Sequence, residues 1–497
     1  MDEDLGKSEA ALVAARRENL AALRSRGNDP FAQTRFEVDA SAAELAARYA
    51  FLVPEQKAES EDWSIAGRIM SKRRMGKTIF ADVRDRTGRL QIYVRKDEIG
   101  DDAFADWIAL DIGDIAGLHG FMFRSKMGEL TLHVKSFAML GKTLQPLPDK
   151  WHGLTDVEKR YRQRYVDLIV NSDVRDSFIQ RSRILSEMRR FIDARGFYEV
   201  ETPTLLHIAG GAAARPFITT VNALDQSMQL RIATELNLKR LIVGGMERVY
   251  EIGRIFRNEG IDTTHNPEFT MLELYAAYWD VHDMLNFNEA LVAHLVGVVS
   301  GGQDALPVGD QTISFKRPFK RISYLDGIEE HGGFTRAQLL DPSGAQAILE
   351  RLGLPKSPTH GHALDKIFER VVEPHLIEPT FVTDYPVIIS PLAKRKQDDP
   401  DLVDRYELFC ANFEISNAFT ELNDPDDQRA RFEAQVHERA KGDTEIPEPD
   451  WDFVRALEFG MPPTAGIGIG VDRLVMLLTN NPSIRDVLLF PLQRAHG

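Results

Sequence analysis

The chain has 497 residues, 43% hydrophobic and 28% charged, an ordinary globular composition that at this length predicts about three domains. No apolar run approaches the ~20 residues a membrane span needs, the polar start MDEDLGKSEAALVAARREN is no signal peptide, and the single cysteine, Cys410, excludes an internal disulfide and the common cysteine-based zinc sites; a cytoplasmic address with no membrane partner is expected. The formal net charge of −15 argues against nucleic-acid binding, yet residues 64–96 carry ten basic side chains against two acidic ones, Asp82 and Asp85, a local patch suited to phosphates.

Residues 4–26 read as a helix that stops at Gly27, within an extension reaching residue 62. From 63 to 144 come five short runs, WSIAGRIMSKR, KTIFADVRD, GRLQIYVRKD, DIAGLHGFMFRS and LTLHVKSFAML, broken by glycine turns. That spacing predicts a small barrel such as the OB-fold. Phe80 and Gln91 fall on adjacent strands of a hairpin turning at Thr87-Gly88. An exposed aromatic beside an amide can stack on a base and bond its edge; the pattern fits a core role for Phe80 as well. Two prolines stiffen QPLPD, at the head of a connector over 145–175.

Residues 176–195 predict an amphipathic helix, with Phe178, Ile184, Leu185, Met188 and Phe191 at helical spacing and Gly196 as its stop. The strand FYEVETPTL follows, broken by Pro203. HIAGGAAARPF is a glycine-rich loop through which backbone can approach a ligand; it is not G-x-G-x-x-G, so no dinucleotide is read. In LRIATELNLKRL, Glu235 opens a helix, as a cap or as the receiver of an amino group.

The run 248–278, RVYEIGRIFRNEGIDTTHNPEFTMLELYAAY, predicts two strands around a charged loop holding Arg257, Asn258, Glu259, His265, Asn266 and Glu268. Strand alternation puts Phe269, Met271, Glu273 and Tyr275 on one face and Thr270, Leu272, Leu274 and Ala276 on the other. The second set reads as packing. The first mixes an aromatic, a carboxylate and a phenol, which suits the floor of a polar ligand's site; a half-buried hairpin with a solvated tip is the plainer reading.

Residues 300–377, partly helical around 336–352, read as an insertion without assigned chemistry. DYPVIISPLAKR predicts a return to a buried strand. Glu407 and Glu414 then lie on successive extended runs around Ala411-Asn412, paired carboxylates of the kind that hold Mg²⁺ beside phosphates. Asn417, Phe419 and Glu421 alternate onto one face, as do Gly466, Gly468 and Gly470, which leave their strand bare. A helix begins near Val471 with Arg473 in its first turn, a natural anion site.

The 248–278 hairpin resembles motif 2 of the class II aminoacyl-tRNA synthetases, built around F-R-N-E. The helix and strand from 176 resemble motif 1, GIGIGVDRL resembles motif 3, and the barrel resembles the anticodon-binding domain of the lysyl, aspartyl and asparaginyl enzymes. In wording and order the whole chain is most similar to the bacterial-type lysyl-tRNA synthetase family. The resemblance implies an α+β chain: an N-terminal OB-fold β-barrel, then a class II catalytic domain over 176–497, built on an antiparallel β-sheet flanked by helices. It implies activation of lysine with ATP and Mg²⁺, transfer to tRNA(Lys), and a homodimer formed through motif 1.

The same resemblance implies roles. Phe269 stacks on adenine, Glu259 accepts its amine, and His265 and Asn266 complete the loop. Arg257 bridges the α-phosphate and the lysine carboxylate, Arg473 holds the γ-phosphate, and Glu407 with Glu414 holds the metal. Gly211, Glu235, Glu273, Tyr275, Asn417, Phe419 and Glu421 join Arg257 around lysine, with Glu235 on the α-amine, Glu421 and Tyr275 on the ε-amine and Phe419 along the stem. Three carboxylates and a phenol suit a substrate with two ammonium groups, because a buried charge demands a partner. Phe80 and Gln91 take the central anticodon base. The chain departs from the family at Ser416 and Ala418, where glycines are usual, and at Ile388, where glutamate is. An aspartyl or asparaginyl enzyme, a paralogue that lysylates a protein, and a silent RNA-binding protein are the alternatives.

Overall fold

The computed structural model describes residues 2–148, 154–440 and 448–494, and divides into two compact units, Met1–Thr155 and Asp156–Gly497. Residues 149–153 of the expected connector, DKWHG, lie outside the described residues.

In the first unit, helix α1 (Asp2–Ser25) precedes five strands: β1 (Lys57–Met75), β2 (Thr78–Arg84), β3 (Arg89–Arg95), β4 (Ile115–Arg124) and β5 (Leu130–Gly141). They close into a barrel in the order β1-β2-β3-β5-β4. Alternation builds its interior: Ile79, Ala81 and Val83 of β2 and Leu90, Ile92 and Val94 of β3 are all buried. Phe80 and Gln91 take the opposite parity on these two paired strands. Phe80 is half-buried, its ring 4.8 Å from that of its partner Tyr93, and Gln91 Oε1 accepts a 2.9 Å bond from the Thr131 hydroxyl. Two short helices, Lys96–Ile99 and Asp101–Ala109, interrupt the strands between β3 and β4; Phe104 and Trp107 of the second join the barrel core.

The second unit is organised on an eight-stranded sheet. Its strands, in chain order, are β6 (Tyr198–Glu199), β7 (Arg248–Phe256), β8 (Glu268–Ala277), β9 (Lys320–Ser323), β10 (Thr380–Pro386), β11 (Leu402–Cys410), β12 (Phe413–Thr420) and β13 (Thr464–Gly470). Their spatial order is β9-β10-β11-β12-β13-β8-β7-β6. The six inner strands pair antiparallel, and the two edge strands pair parallel to their neighbours. Leu272 and Leu274 of β8, Ile467 and Ile469 of β13 and Ala418 of β12 bury one face. Helix α2 (Ser172–Asp193), through Ile184, Met188 and Ile192, and helix α3 (Val281–Ser300), through Met284, Leu291 and Leu295, share that core. At 25 cal/mol per Å2, each enclosed leucine contributes about 2 kcal/mol of burial.

Three expectations shift. The strand after Gly196 keeps only Tyr198–Glu199, because the chain turns away before Pro203, which has no amide to give a ladder. Lys320–Ser323, expected inside the insertion, is an edge strand of the main sheet. The strand expected from Asp384 ends at Pro386, and Val387–Ile389 is a 3-10 turn on which Ile388 is 52% exposed, so its departure from the family falls on a surface turn.

Candidate active site

The pairing registers line up the polar face row by row. Glu273 of β8 stands opposite Gly468 of β13, Gly468 opposite Asn417 of β12, and Asn417 opposite Glu407 of β11. The next row runs Tyr275, Gly466, Phe419 and Arg405. The glycines open the floor between these side chains. A Cβ on Gly466 would collide with Glu421 Oε1 and the Tyr275 ring. Above the floor lies a hollow of about 400 Å3.

Glu414 reaches that hollow by a bulge. It has the parity of Ser416 and Ala418, which face the core, but the β11–β12 register slips between Leu408 and Phe409, and Glu414 lines the cavity with Glu407. Ala411 and Asn412 make the turn between the strands with φ of 52° and 68°.

At one end of the hollow the 257–267 loop folds back on β8. Arg257 N donates to Pro267 O at 2.9 Å, and Asp262 accepts the amides of Thr264 and His265, both at 2.7 Å. These bonds hold the Asp262 carboxyl at about 2, against the opposing effect of partial burial. Arg473, in the first turn of helix α4 (Val471–Leu478), donates to His265 Nε2 at 3.0 Å and to Glu414 Oε2 at 3.3 Å. Arg257 lies 5.2 Å from the centroid of Phe269; burial lowers its pKa, partly offset by Glu259, Glu414 and Glu273. Asn266 is buried, with its Nδ2 on Glu268 O and its Oδ1 unpartnered among the described residues. This end offers two guanidiniums, an aromatic face and a free amide oxygen.

The other end is acidic. Glu273 Oε1 accepts the Thr234 amide at 2.9 Å, and Tyr275 donates to Glu273 Oε2 at 3.5 Å. Burial pushes Glu273 up to about 7, with the Glu235 charge adding to the rise and the Thr234 amide opposing it. Burial first, then the surrounding carboxylates, lifts Tyr275 well above its ordinary value. Glu235 opens helix α5 (Glu235–Val243) without capping it; its carboxylate takes the Lys239 ammonium at 2.6 Å. Gly211, at φ +90°, brings backbone against Glu235: a Cβ there would sit 3.1 Å from Glu235 Cβ.

Of the residues singled out in the sequence, Gly211, Glu235, Arg257, Glu259, His265, Asn266, Phe269, Glu273, Tyr275, Glu407, Glu414, Asn417, Phe419 and Arg473 all line this hollow. Glu421 stands one layer behind: it is fully enclosed, it ion-pairs with Lys239, and its Oε1 lies against Gly466 and Tyr275. Phe80 and Gln91 belong to the barrel unit.

Sequence reasoning passed over four contributors. Arg405 lines the hollow and binds Asn417 Oδ1 at 3.0 Å and Glu407 Oε1 at 2.5 Å. Its alternation with Glu407 along β11 was the available signal. Lys239 joins two carboxylates. Asp472 takes the Thr270 amide at 2.6 Å, and Arg181 of α2 pairs with it at 2.6 Å, which fixes the helix that carries Arg473. Arg181 sits 291 positions from Asp472 in the chain, and nothing local announces the contact.

Residues 156–494 match the family described as tRNA synthetases class II (D, K and N), and residues 63–140 match the OB-fold nucleic acid binding domain. The chain belongs to the class II tRNA synthetases. It is similar to the lysine–tRNA ligase of Halalkalibacterium halodurans, 51% identical over 497 residues covering 99% of this chain and 98% of the relative. That of Carboxydothermus hydrogenoformans is 53% identical over 97% and 98% of the two chains, and that of Staphylococcus aureus 51% over 97% and 98%. The synthetase thus has the expected α+β architecture, an OB-fold barrel followed by the class II sheet, and among its described residues no helix is long and apolar enough to cross a membrane.

Proposed function

We propose that this synthetase is a lysine–tRNA ligase, which activates lysine with ATP and transfers it to the 3′ end of tRNA(Lys). The observation that carries the reading is one hollow with two arginines at one end and carboxylates with a phenol at the other. A dication with a carboxylate fits that polarity; aspartate, which would need cations around its side chain, does not.

In this reading the lysine α-ammonium meets Glu235, its stem lies along Phe419, and its ε-ammonium meets Glu421 Oε1 and Tyr275. Glu273 and Asn417 complete the wall, and the Gly211 backbone closes it. The lysine carboxylate and the α-phosphate share Arg257, adenine stacks on Phe269 with Glu259 and Asn266 at its edge, and Arg473 with His265 holds the γ-phosphate. The carboxylate attacks the α-phosphate in line, pyrophosphate leaves, and lysyl-adenylate remains. The terminal adenosine 3′-hydroxyl then attacks the lysyl carbonyl and gives up its proton; the ester forms as the bond to the phosphate breaks, and AMP leaves. Neither step asks for a protein nucleophile; positioning and charge neutralisation do the chemistry.

The donor set also fits a metal. Glu407 and Glu414 both line the hollow, and burial pushes Glu407 up, with Arg405 opposing and the Glu414 charge adding to the rise, so the pair favours a cation. Mg²⁺ takes one or two carboxylates and leaves its other positions to phosphate and water, and when bound it neutralises phosphate charge.

The barrel's Phe80 and Gln91 take the central anticodon base; Phe80→Ala should raise the KM for tRNA about tenfold and leave amino-acid activation untouched. A homodimer through α2 is supported by Ile179, 46% exposed on that helix, and by exposed Leu489 and Phe490; sedimentation as a monomer would end that part. The central test is ATP–pyrophosphate exchange. It should depend on lysine and not on aspartate, and Glu421→Gln should raise the KM for lysine at least 30-fold. Aspartate-dependent exchange would overturn the assignment, and a protein acceptor charged in place of tRNA would redirect it.

A further inference from the structure

Lys239 is fully buried, and its ammonium lies between two carboxylates that reach it from different elements. Glu235 comes from its own helix one turn earlier, at 2.6 Å, and Glu421 from the segment after β12. Among the described residues, two rings also face the ammonium, Phe419 of β12 at 5.4 Å and Phe453 of the helix Trp451–Leu457 at 5.7 Å. The neighbouring Arg240 turns away to Asp450 and Asp452. The protein has therefore placed an ammonium of its own behind the wall that meets the substrate's.

The arrangement divides the Glu421 carboxylate. Oε2 goes to Lys239; Oε1 has no hydrogen-bond partner among the described residues and lies at the bare Gly466, beside the Tyr275 ring. Glu235 and Glu421 share the one Lys239 ammonium, and the Glu273 carboxyl acts on both, so the carboxylates outnumber the cation; burial and these neighbours lift Glu421 well above its ordinary value, with Lys239 opposing. Like charges held this close repel or share a proton unless a cation lies between them.

We propose that Lys239 is a specificity-determining positioning residue, which neutralises one of two facing carboxylates and turns the free oxygen of Glu421 toward the substrate's side-chain ammonium. The proposal rests on the lysine reading above. It adds that recognition of one monovalent ammonium depends on a permanent internal cation that never touches the substrate.

The test is steady-state ATP–pyrophosphate exchange with Lys239→Met, which keeps the length and removes the charge. The KM for lysine should rise at least tenfold, with kcat and the KM for ATP each within threefold of wild type, since the nucleotide end is untouched. Lys239→Arg keeps the charge and should stay within threefold on all three. Should the methionine variant not fold, Lys239→Gln carries the same readout, and the arginine variant stands by itself. An unchanged KM for lysine in the methionine or glutamine variant overturns the proposal, as does an arginine variant as impaired as the neutral ones. Equal losses in kcat and in the KM for ATP would mark a merely structural lysine and also overturn it. Failure of the lysine reading itself would appear separately, as wild-type protein with no lysine-dependent exchange.

Discussion

The two faces of the long sheet are made by alternate residues of the same strands, and they solve opposite problems. On one face Leu272, Leu274, Ala418, Ile467 and Ile469 meet helices and are fully enclosed, each satisfied by contact alone. On the other, Glu273, Asn417, Glu407 and Arg405 are also largely removed from water, yet every one needs a partner of defined charge and direction. Apolar contact is non-directional, so the first face tolerates exchange of volume for volume. A buried charge is uncompensated once its partner goes, at a cost on the order of 3–5 kcal/mol, so the second face tolerates little. The synthetase keeps its rigid side and its reactive side one Cβ apart.

The largest effect should come from Arg257→Ala on the polar face. If Arg257 is shared by the attacking and accepting groups as proposed, its loss should slow exchange about a thousandfold or more, near 4 kcal/mol of barrier, with the thermal transition little moved. Wild-type-like exchange would remove Arg257 from the chemistry. The mirror experiment is Leu274→Ala. It should cost about 2–5 kcal/mol of stability, read as a lower Tm and denaturant midpoint, while exchange per folded molecule stays near wild type; a specific loss of kcat would blur the division of labour between faces.

Gly466→Ala probes the seam. Its methyl would have to displace the Glu421 carboxylate or the Tyr275 ring, so the KM for lysine should rise about tenfold or more with a smaller change for ATP. An alanine accepted without change would show that the glycine strand is bare for packing reasons only.

A graded effect, spread over several pH units, is pH dependence. Glu273 sits at about 7 in the folded chain, against about 4.3 for an exposed glutamate. The folded state therefore binds more protons than the unfolded state between those values, and stability should fall as pH rises across that window, by up to roughly 4 kcal/mol, and level above it. The proposed ammonium pocket would need the ionised form, so kcat/KM for lysine should climb through pH about 7 and then flatten. Glu273→Gln should remove its share of the stability trend, to which Asp365 and Glu373, also raised by burial to about 7, contribute, and should abolish the rising limb of kcat/KM; a variant that keeps that limb would assign it to another group.

Much of this molecule is legible along the chain, and the reason is period. Alternation over 269–276 sorts hairpin residues to their faces without reference to any other strand, and Gly466, Gly468 and Gly470 announce a strand that something must lie against. The strand edges of the barrel and of β7 are legible for the same reason: β-branched and aromatic runs end at turn residues. What no local pattern carries is register. Glu414 has core parity by simple counting, and only the slip at Phe409 turns it to the cavity. Arg181 reaches Asp472 across 291 positions of the chain, and Lys239 reaches Glu421 across 182. A lysine one turn after a glutamate reads as an ordinary helix pair; folding supplies the second carboxylate and takes the water away, and that desolvation makes the ion triad costly to break and directional enough to shape a site.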